Sequence, residues 1–140
     1  MKIRIAAFSA VLALTAAAGT LSTGSASATV SGGGCGSVIG WDNITLQSCV
    51  TYVGDTSGRT IVGSAYTNGT NNTTIDLCSK IQTIDGVDIL NTQRCTRGTA
   101  IGLRDTSGQV TLGKGQYRAV AFFKTPSVSP PAVSATITIS

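Results

Sequence analysis

Leu112-Gly113-Lys114-Gly115-Gln116-Tyr117-Arg118-Ala119-Val120-Ala121-Phe122-Phe123-Lys124 is the stretch whose reading decides the fold. From 116 to 124 it is the strongest strand signal in the chain. Tyr117, Ala119, Ala121 and Phe123 fall on one face, while Arg118, Val120, Phe122 and Lys124 fall on the other. The first face belongs in a core. The second carries two apolar residues that need a cover, supplied either by a partner or by the C-terminal segment of the same chain.

Working outward, no window of residues 29–140 sustains helical periodicity, and β-branched residues dominate. Residues 44–52 alternate as a half-buried strand, followed by the turn Gly54-Asp55-Thr56-Ser57-Gly58. Residues 60–66 form the next strand, ended by Asn68-Gly69 and a polar loop through Asn72. A hairpin is expected over 74–96. Residues 100–104 and 109–112 read as short strands split by a second Asp-Thr-Ser-Gly turn, and 133–139 alternates with Val133, Ala135, Ile137 and Ile139 on one face. Seven or eight short antiparallel strands at this spacing predict a sandwich or barrel.

The run from Leu112 to Ala119 resembles the tyrosine corner of immunoglobulin-like domains, where a tyrosine opens the penultimate strand and its hydroxyl caps the preceding loop. That resemblance implies an immunoglobulin-like β-sandwich for 29–140. Ala119 stands where antibody domains place their second cysteine, so the likeness is to the broad sandwich class.

Cys35, Cys49, Cys78 and Cys95 form an even set, and two disulfides are expected. Zinc competes as a reading, but the spacing lacks C-x-x-C and the chain has no histidine. Three connectivities exist. Residues 74–84 and 89–96 flank Asp85-Gly86-Val87-Asp88, a four-residue hairpin loop, and if Ile84 faces Ile89 then Cys78 lies opposite Cys95. Lys80 and Gln82 share that strand face with Cys78. The pair Cys35–Cys49 follows by elimination. Each bridge closes a loop of about 15 residues, worth roughly 3 kcal/mol in a chain-entropy treatment.

Lys2 and Arg4, an apolar run over 5–18 and a small-residue segment ending Ala26-Ser27-Ala28 read as a secretory signal peptide over 1–28. A membrane anchor is the competing reading, but the run is short and is broken by Ser9 and Thr15. Gly32-Gly33-Gly34 before Cys35 does not suit a lipobox. The expectation is therefore export to the extracellular space, with one domain over 29–140. Lys2 and Arg4 are two of the ten cations, so that domain keeps eight against six Asp, a net +2. Its charges are scattered, which argues against nucleic acid or an anionic membrane as partner.

The whole sequence contains neither histidine nor glutamate. Those side chains carry most proton transfer at neutral pH, so no enzyme is expected, and no cofactor or metal. Asp55-Thr56-Ser57-Gly58 and Asp105-Thr106-Ser107-Gly108 invite comparison with aspartic proteases. Those need Gly directly after Thr, and hairpin turns account for both copies. The run 108–115 is one residue short of a P-loop, because Gly115 cannot hold magnesium. Asp85 and Asp88 lack the spacing of a calcium loop. Serines have Lys80, Lys114 and Lys124 as conceivable bases, but no Ser-x-x-Lys spacing occurs. Asn43, Asn68, Asn71 and Asn72 head N-x-Ser/Thr triplets and read as polar loop residues, given a bacterial-looking signal peptide.

Three surfaces remain for binding another secreted protein. Thr29-Val30-Ser31-Gly32-Gly33-Gly34 reads as a Gly-rich arm that threads into a cleft, with a disordered terminus as the alternative. The last strand offers a sheet edge if it is not simply the closing strand. The loop Thr125-Pro126-Ser127-Val128-Ser129-Pro130-Pro131 is stiffened by Pro126, Pro130 and Pro131 around Val128, which lowers its ordering cost. Carbohydrate is a further candidate ligand, with Trp41, Tyr52 and Tyr66 as stacking residues. An inhibitor of an extracellular protease is the runner-up to a plain interaction module.

The pattern from Cys35 through Trp41 and Ile44-Thr45-Leu46-Gln47-Ser48-Cys49 to the later cysteine pair, behind a Gly-rich start, resembles small secreted actinobacterial β-proteins. Among these is the family of adaptor, or spoke, subunits of umbrella-shaped antibacterial toxin particles. That resemblance implies an adaptor linking a lectin-bearing subunit to a toxin subunit. It transfers no binding residue.

Overall fold

The computed structural model describes residues 29–70 and 72–140, so the signal peptide expected over 1–28 and the triplet headed by Asn71 lie outside the described residues. Twelve strands and no helix make up the described residues. They are β1 (Val30–Gly32), β2 (Gly34–Cys35), β3 (Ile39–Trp41), β4 (Ile44–Tyr52), β5 (Thr60–Gly69), β6 (Thr74–Thr83), β7 (Arg94–Thr99), β8 (Arg104–Thr106), β9 (Val110–Thr111), β10 (Gly115–Phe123), β11 (Ala132–Val133) and β12 (Ile137–Ile139). Four strands exceed the eight expected: β1, β2 and β3 lie in 29–43, where no strand was expected, and the segment 133–139 is split into β11 and β12.

Two antiparallel sheets result. One runs β1-β12-β10-β6-β7, with β11 beside β10; the other runs β2-β4-β5-β8, with β3 beside β4 and β9 beside β5. Strand β10 packs across β4 and β5 of the other sheet. Both halves of the core draw on both sheets. Ile44, Leu46 and Ala65 meet Ile75, Leu77, Ala121 and Phe123, and further along Val50 and Ile61 meet Ile81, Tyr117, Ala119, Ile137 and Ile139. The inward face expected for β10 is thus the buried one. The Tyr117 hydroxyl donates to the Gly113 carbonyl at 3.1 Å, capping the loop before its strand.

Both disulfides form as expected, Cys35–Cys49 and Cys78–Cys95. Each joins facing residues of neighbouring strands within one sheet, so each staples a peripheral strand and neither crosses the core. Two disulfides are compatible with an oxidising compartment.

The route to Cys78 opposite Cys95 differs from expectation. Near the tip Gln82 faces Asp88, not Ile84 facing Ile89, and Thr83 N–H donates to Val87 O at 2.9 Å. Five residues of β6, 78 to 82, then match eight on the return, 88 to 95, so three residues are extruded. Buried Thr92 closes the gap: its Oγ1 accepts the Ile81 N–H at 3.0 Å and donates to Ile89 O at 2.8 Å. The return strand therefore begins at Arg94 rather than 89.

The segment 133–139 is also not one strand. Val120 faces Val133, whereas Tyr117 faces Ile137, so the four residues 117 to 120 of β10 match five on the return, 133 to 137. Ser134 sits at this bulge, its Oγ accepting the Ala119 N–H at 2.8 Å and its own N–H donating to Ala119 O at 3.0 Å. A one-residue slip reverses side-chain direction. Ile137 and Ile139 face the core, while Val133 shares the outer face with Val120.

The two Asp-Thr-Ser-Gly copies behave differently. Asp55 makes the expected turn, its Oδ1 accepting the N–H groups of Ser57 and Gly58 at 2.9 and 3.0 Å. Asp105 instead lies within β8, buried, and accepts Ser79 Oγ at 2.6 Å and Thr96 Oγ1 at 2.7 Å from the opposing sheet. The second copy is a polar seam between the sheets.

Candidate functional site

The free arm expected over 29–34 is folded. Val30–Gly32 pairs with β12, Val30 is buried, and Thr29 Oγ1 and Ser140 Oγ share a hydrogen bond at 2.9 Å. Gly32, Gly33 and Gly34 have φ of 76°, 91° and 111°, a left-handed run that carries the chain from the first sheet to the second. The glycines serve a crossover, which sequence alone cannot tell from a flexible tail. Strand β12 lies between β1 and β10, so the last strand is a closing strand and presents no free edge.

The 125–131 loop is the expected surface that contributes to a concave site. Asp76 holds its start: Lys124 N–H donates to Asp76 O at 3.0 Å, and Thr125 Oγ1 donates to Asp76 Oδ2 at 2.9 Å. Ser129 holds its end, its N–H donating to Phe123 O at 2.9 Å and its Oγ accepting the Phe123 N–H at 3.0 Å. Between these anchors Pro126, Ser127 and Val128 are exposed, Val128 to 68%; Pro130 is exposed beyond them. The loop and β11 fold over the outer face of β10, where the alternation demanded a cover. Val120 is buried beneath them, while Phe122 and Val133 stay half-buried.

What remains open is a groove of about 260 Å³. Its floor is Val120, Phe122 and Val133, its wall Val128, Ser129 and Pro131, and its rim Lys80, Gln82 and Arg118. The register explains the assembly, since Arg118 faces Gln82 and Val120 faces both Lys80 and Val133. None of residues 29–34 lines it.

The two rim cations differ in state. Lys80 Nζ lies 2.8 Å from Asp88 Oδ2 and 5.4 Å from the centre of the Phe122 ring. Gln82 Nε2 donates to the other Asp88 oxygen at 2.6 Å. These two bonds, that from Lys80 foremost, hold the Asp88 carboxyl below its ordinary range, against a smaller opposing effect of burial. Arg118 has no carboxylate partner among the described residues, and its Nε is buried without an acceptor. Its guanidinium reaches the hairpin loop, where a Cβ on Gly86 would stand 3.6 Å from Nη2. Beside that loop Val87 and Leu90 are exposed to 63% and 84%. The alternation put Arg118 on this face; nothing in it showed that the charge would be left unpaired.

The three aromatic candidates do not form one platform. Trp41 faces Ile44 at one end of β4, Tyr66 faces Gln47, and Tyr52 ends the strand eight residues from Ile44, about 26 Å at ~3.3 Å per residue. Tyr66 carries the Arg104 guanidinium over its ring at 5.3 Å. Trp41 does share a shallow depression with Asp42 and Ser127. Among the described residues no three metal-ligating side chains of the His, Cys, Asp or Glu type gather.

Compared with known proteins, the chain matches no family model, no curated protein and no solved structure.

Proposed function

We propose that this chain is a non-catalytic secreted interaction module whose partner is another secreted protein, in the manner of an adaptor within an extracellular complex such as an antibacterial toxin particle. The observation that carries the reading is the groove on the outer face of β6 and β10. Its floor is apolar, its loop wall is anchored at both ends, and the exposed Val128 stands at its lip. An apolar floor with a polar rim is the anatomy of a protein-binding patch, and an anchored loop lowers the ordering cost of docking. At about 260 Å³ the groove is smaller than the ~300–1,000 Å³ of small-molecule sites and suits one or two partner side chains.

Within this proposal the architecture belongs to the immunoglobulin-like sandwich class, a reading supported by the Tyr117–Gly113 bond. The β4–β5 hairpin, formed inside one sheet, departs from the antibody strand order, in which the strand after B lies in the facing sheet.

A second reading has its own observation. Val128, protruding between fixed ends, has the form of a reactive-site loop that a protease would grip, making the chain an inhibitor. Affinity purification of the tagged protein from its own culture supernatant separates the readings. A stoichiometric non-protease partner, lost on Val128→Asp, supports the adaptor; a protease inhibited at the stoichiometric point supports the inhibitor. Recovery alone, with retention on cell-wall polysaccharide that depends on Trp41, overturns both in favour of carbohydrate.

A further inference from the structure

We infer that the groove receives a segment of the partner polypeptide that places a carboxylate on Arg118 while an adjacent aliphatic side chain enters the apolar trough. The inference rests on the proposed interaction role and names the chemistry of its ligand.

Charge complementarity supplies the argument. Lys80 is already paired with Asp88 at 2.8 Å, so that carboxylate is committed, and no acid lines the groove itself. Arg118 is the rim cation left over: its Nε is covered, and its Nη groups have no carboxylate within ion-pair distance among the described residues. The Nη end of a guanidinium presents two N–H groups, one from each Nη, which match the two oxygens of a carboxylate. The Arg118 backbone is fixed by its pairing with Gln82, and its head lies against Gly86 of the hairpin loop. The fork is therefore held in place before a ligand arrives. Next to it Val120, Phe122, Val133 and Val128 offer room for an aliphatic side chain and no hydrogen-bonding side chain of their own. A lone inorganic anion would leave that trough empty, whereas an acidic residue beside a leucine or valine fills both halves.

The test uses the protein over 29–140 and two capped peptides, Ac-Leu-Asp-Leu-NH2 and Ac-Leu-Asn-Leu-NH2, followed by the Arg118 Nε–Hε NMR cross-peak. The expected result is a saturable shift with the Asp peptide and at least about tenfold weaker binding of the Asn peptide, since a charged, bidentate bond is worth a factor of that order. Arg118→Gln should remove the difference between the peptides without moving the thermal midpoint. Equal response to both peptides, or to sodium sulfate alone at the same ionic strength, overturns the inference. In supernatant capture, Val128→Asp reports on the groove and Arg118→Gln on the carboxylate. Loss with both variants supports the inference. Loss with Val128→Asp alone keeps the interaction role and overturns the carboxylate; loss with neither overturns both.

Discussion

Asp105→Ala tests whether the two sheets are joined by a specific polar seam or only by apolar contact. The Asp105 side chain is buried and accepts hydroxyl hydrogens from Ser79 at 2.6 Å and Thr96 at 2.7 Å, both on the opposing sheet. Removing it affects the two hydroxyls unequally. Thr96 is exposed and regains water, losing about 1 kcal/mol of net bond energy. Ser79 is fully buried, so its hydroxyl is stranded at a cost of roughly 1–3 kcal/mol. The sum is about 2–4 kcal/mol. Over 112 residues the unfolding entropy is roughly 0.24 kcal/mol/K, which converts the loss into a midpoint lowered by about 8–17 °C. Differential scanning calorimetry reads the midpoint. A double-mutant cycle with Ser79→Ala reads the coupling, expected near 1 kcal/mol or above. Asp55→Ala in the twin tetrapeptide is the control. It removes only an exposed turn and should leave the midpoint near wild type. A variant at 105 within 0.5 kcal/mol of wild type, or strict additivity with Ser79→Ala, would refute the reasoning.

Replacing Cys78 and Cys95 together by Ala should cost about 3 kcal/mol for the 17-residue separation they close. Hydrogen exchange should then open β7 first, because that bridge fastens an edge strand; uniform loss across the sheets would contradict a local staple. Gly63→Ala puts a Cβ 2.7 Å from the Ala119 Cβ, where β5 and β10 meet, and overpacking of that kind costs about 1–3 kcal/mol. An unchanged urea midpoint would show that the sheets separate freely there. Asp88 has a carboxyl held below its ordinary value of 3.8, so the stability from the Lys80–Asp88–Gln82 contact is complete above that value and is lost as pH falls through the lower folded one. Asp88→Asn should therefore flatten the acid limb of a pH–stability curve, modestly, because the side chain is 53% exposed. An unaltered acid limb would show that the contact contributes nothing.

Much of the frame was legible because alternation reports burial wherever a strand is unbroken. Strand β4 has the expected limits, 44–52, and the inner face of β10 is the expected one. The disulfide pairing was also legible, although the tip register used to derive it was three residues off. What the sequence hid was the groove. Its floor needs Val133 on the outer face, and simple alternation from Ile137 and Ile139 places Val133 inside. Its charge needs Arg118 unpaired, which depends on Asp88 having turned to Lys80 at a hairpin tip whose register was misread. Both errors arise at bulges.

Those bulges share a chemical mark. Thr92, Ser107, Ser129 and Ser134 are all buried, and each uses its hydroxyl oxygen to accept a main-chain N–H, those of Ile81, Gly63, Phe123 and Ala119 respectively. A ladder that slips or ends leaves such donors orphaned, and buried amides cannot remain so. A small hydroxyl is the least bulky group that can replace the missing carbonyl. Each of the four therefore sits where pairing slips, ends or gives way to a loop. Ser134 reverses the face of the segment, which puts Val133 beside Val120, and Ser129 turns the loop back over Phe122. The groove is thus a product of broken strands: had 133–139 run on as one regular strand, Val133 would lie in the core, and the outer face of β10 would have lost a third of its apolar floor.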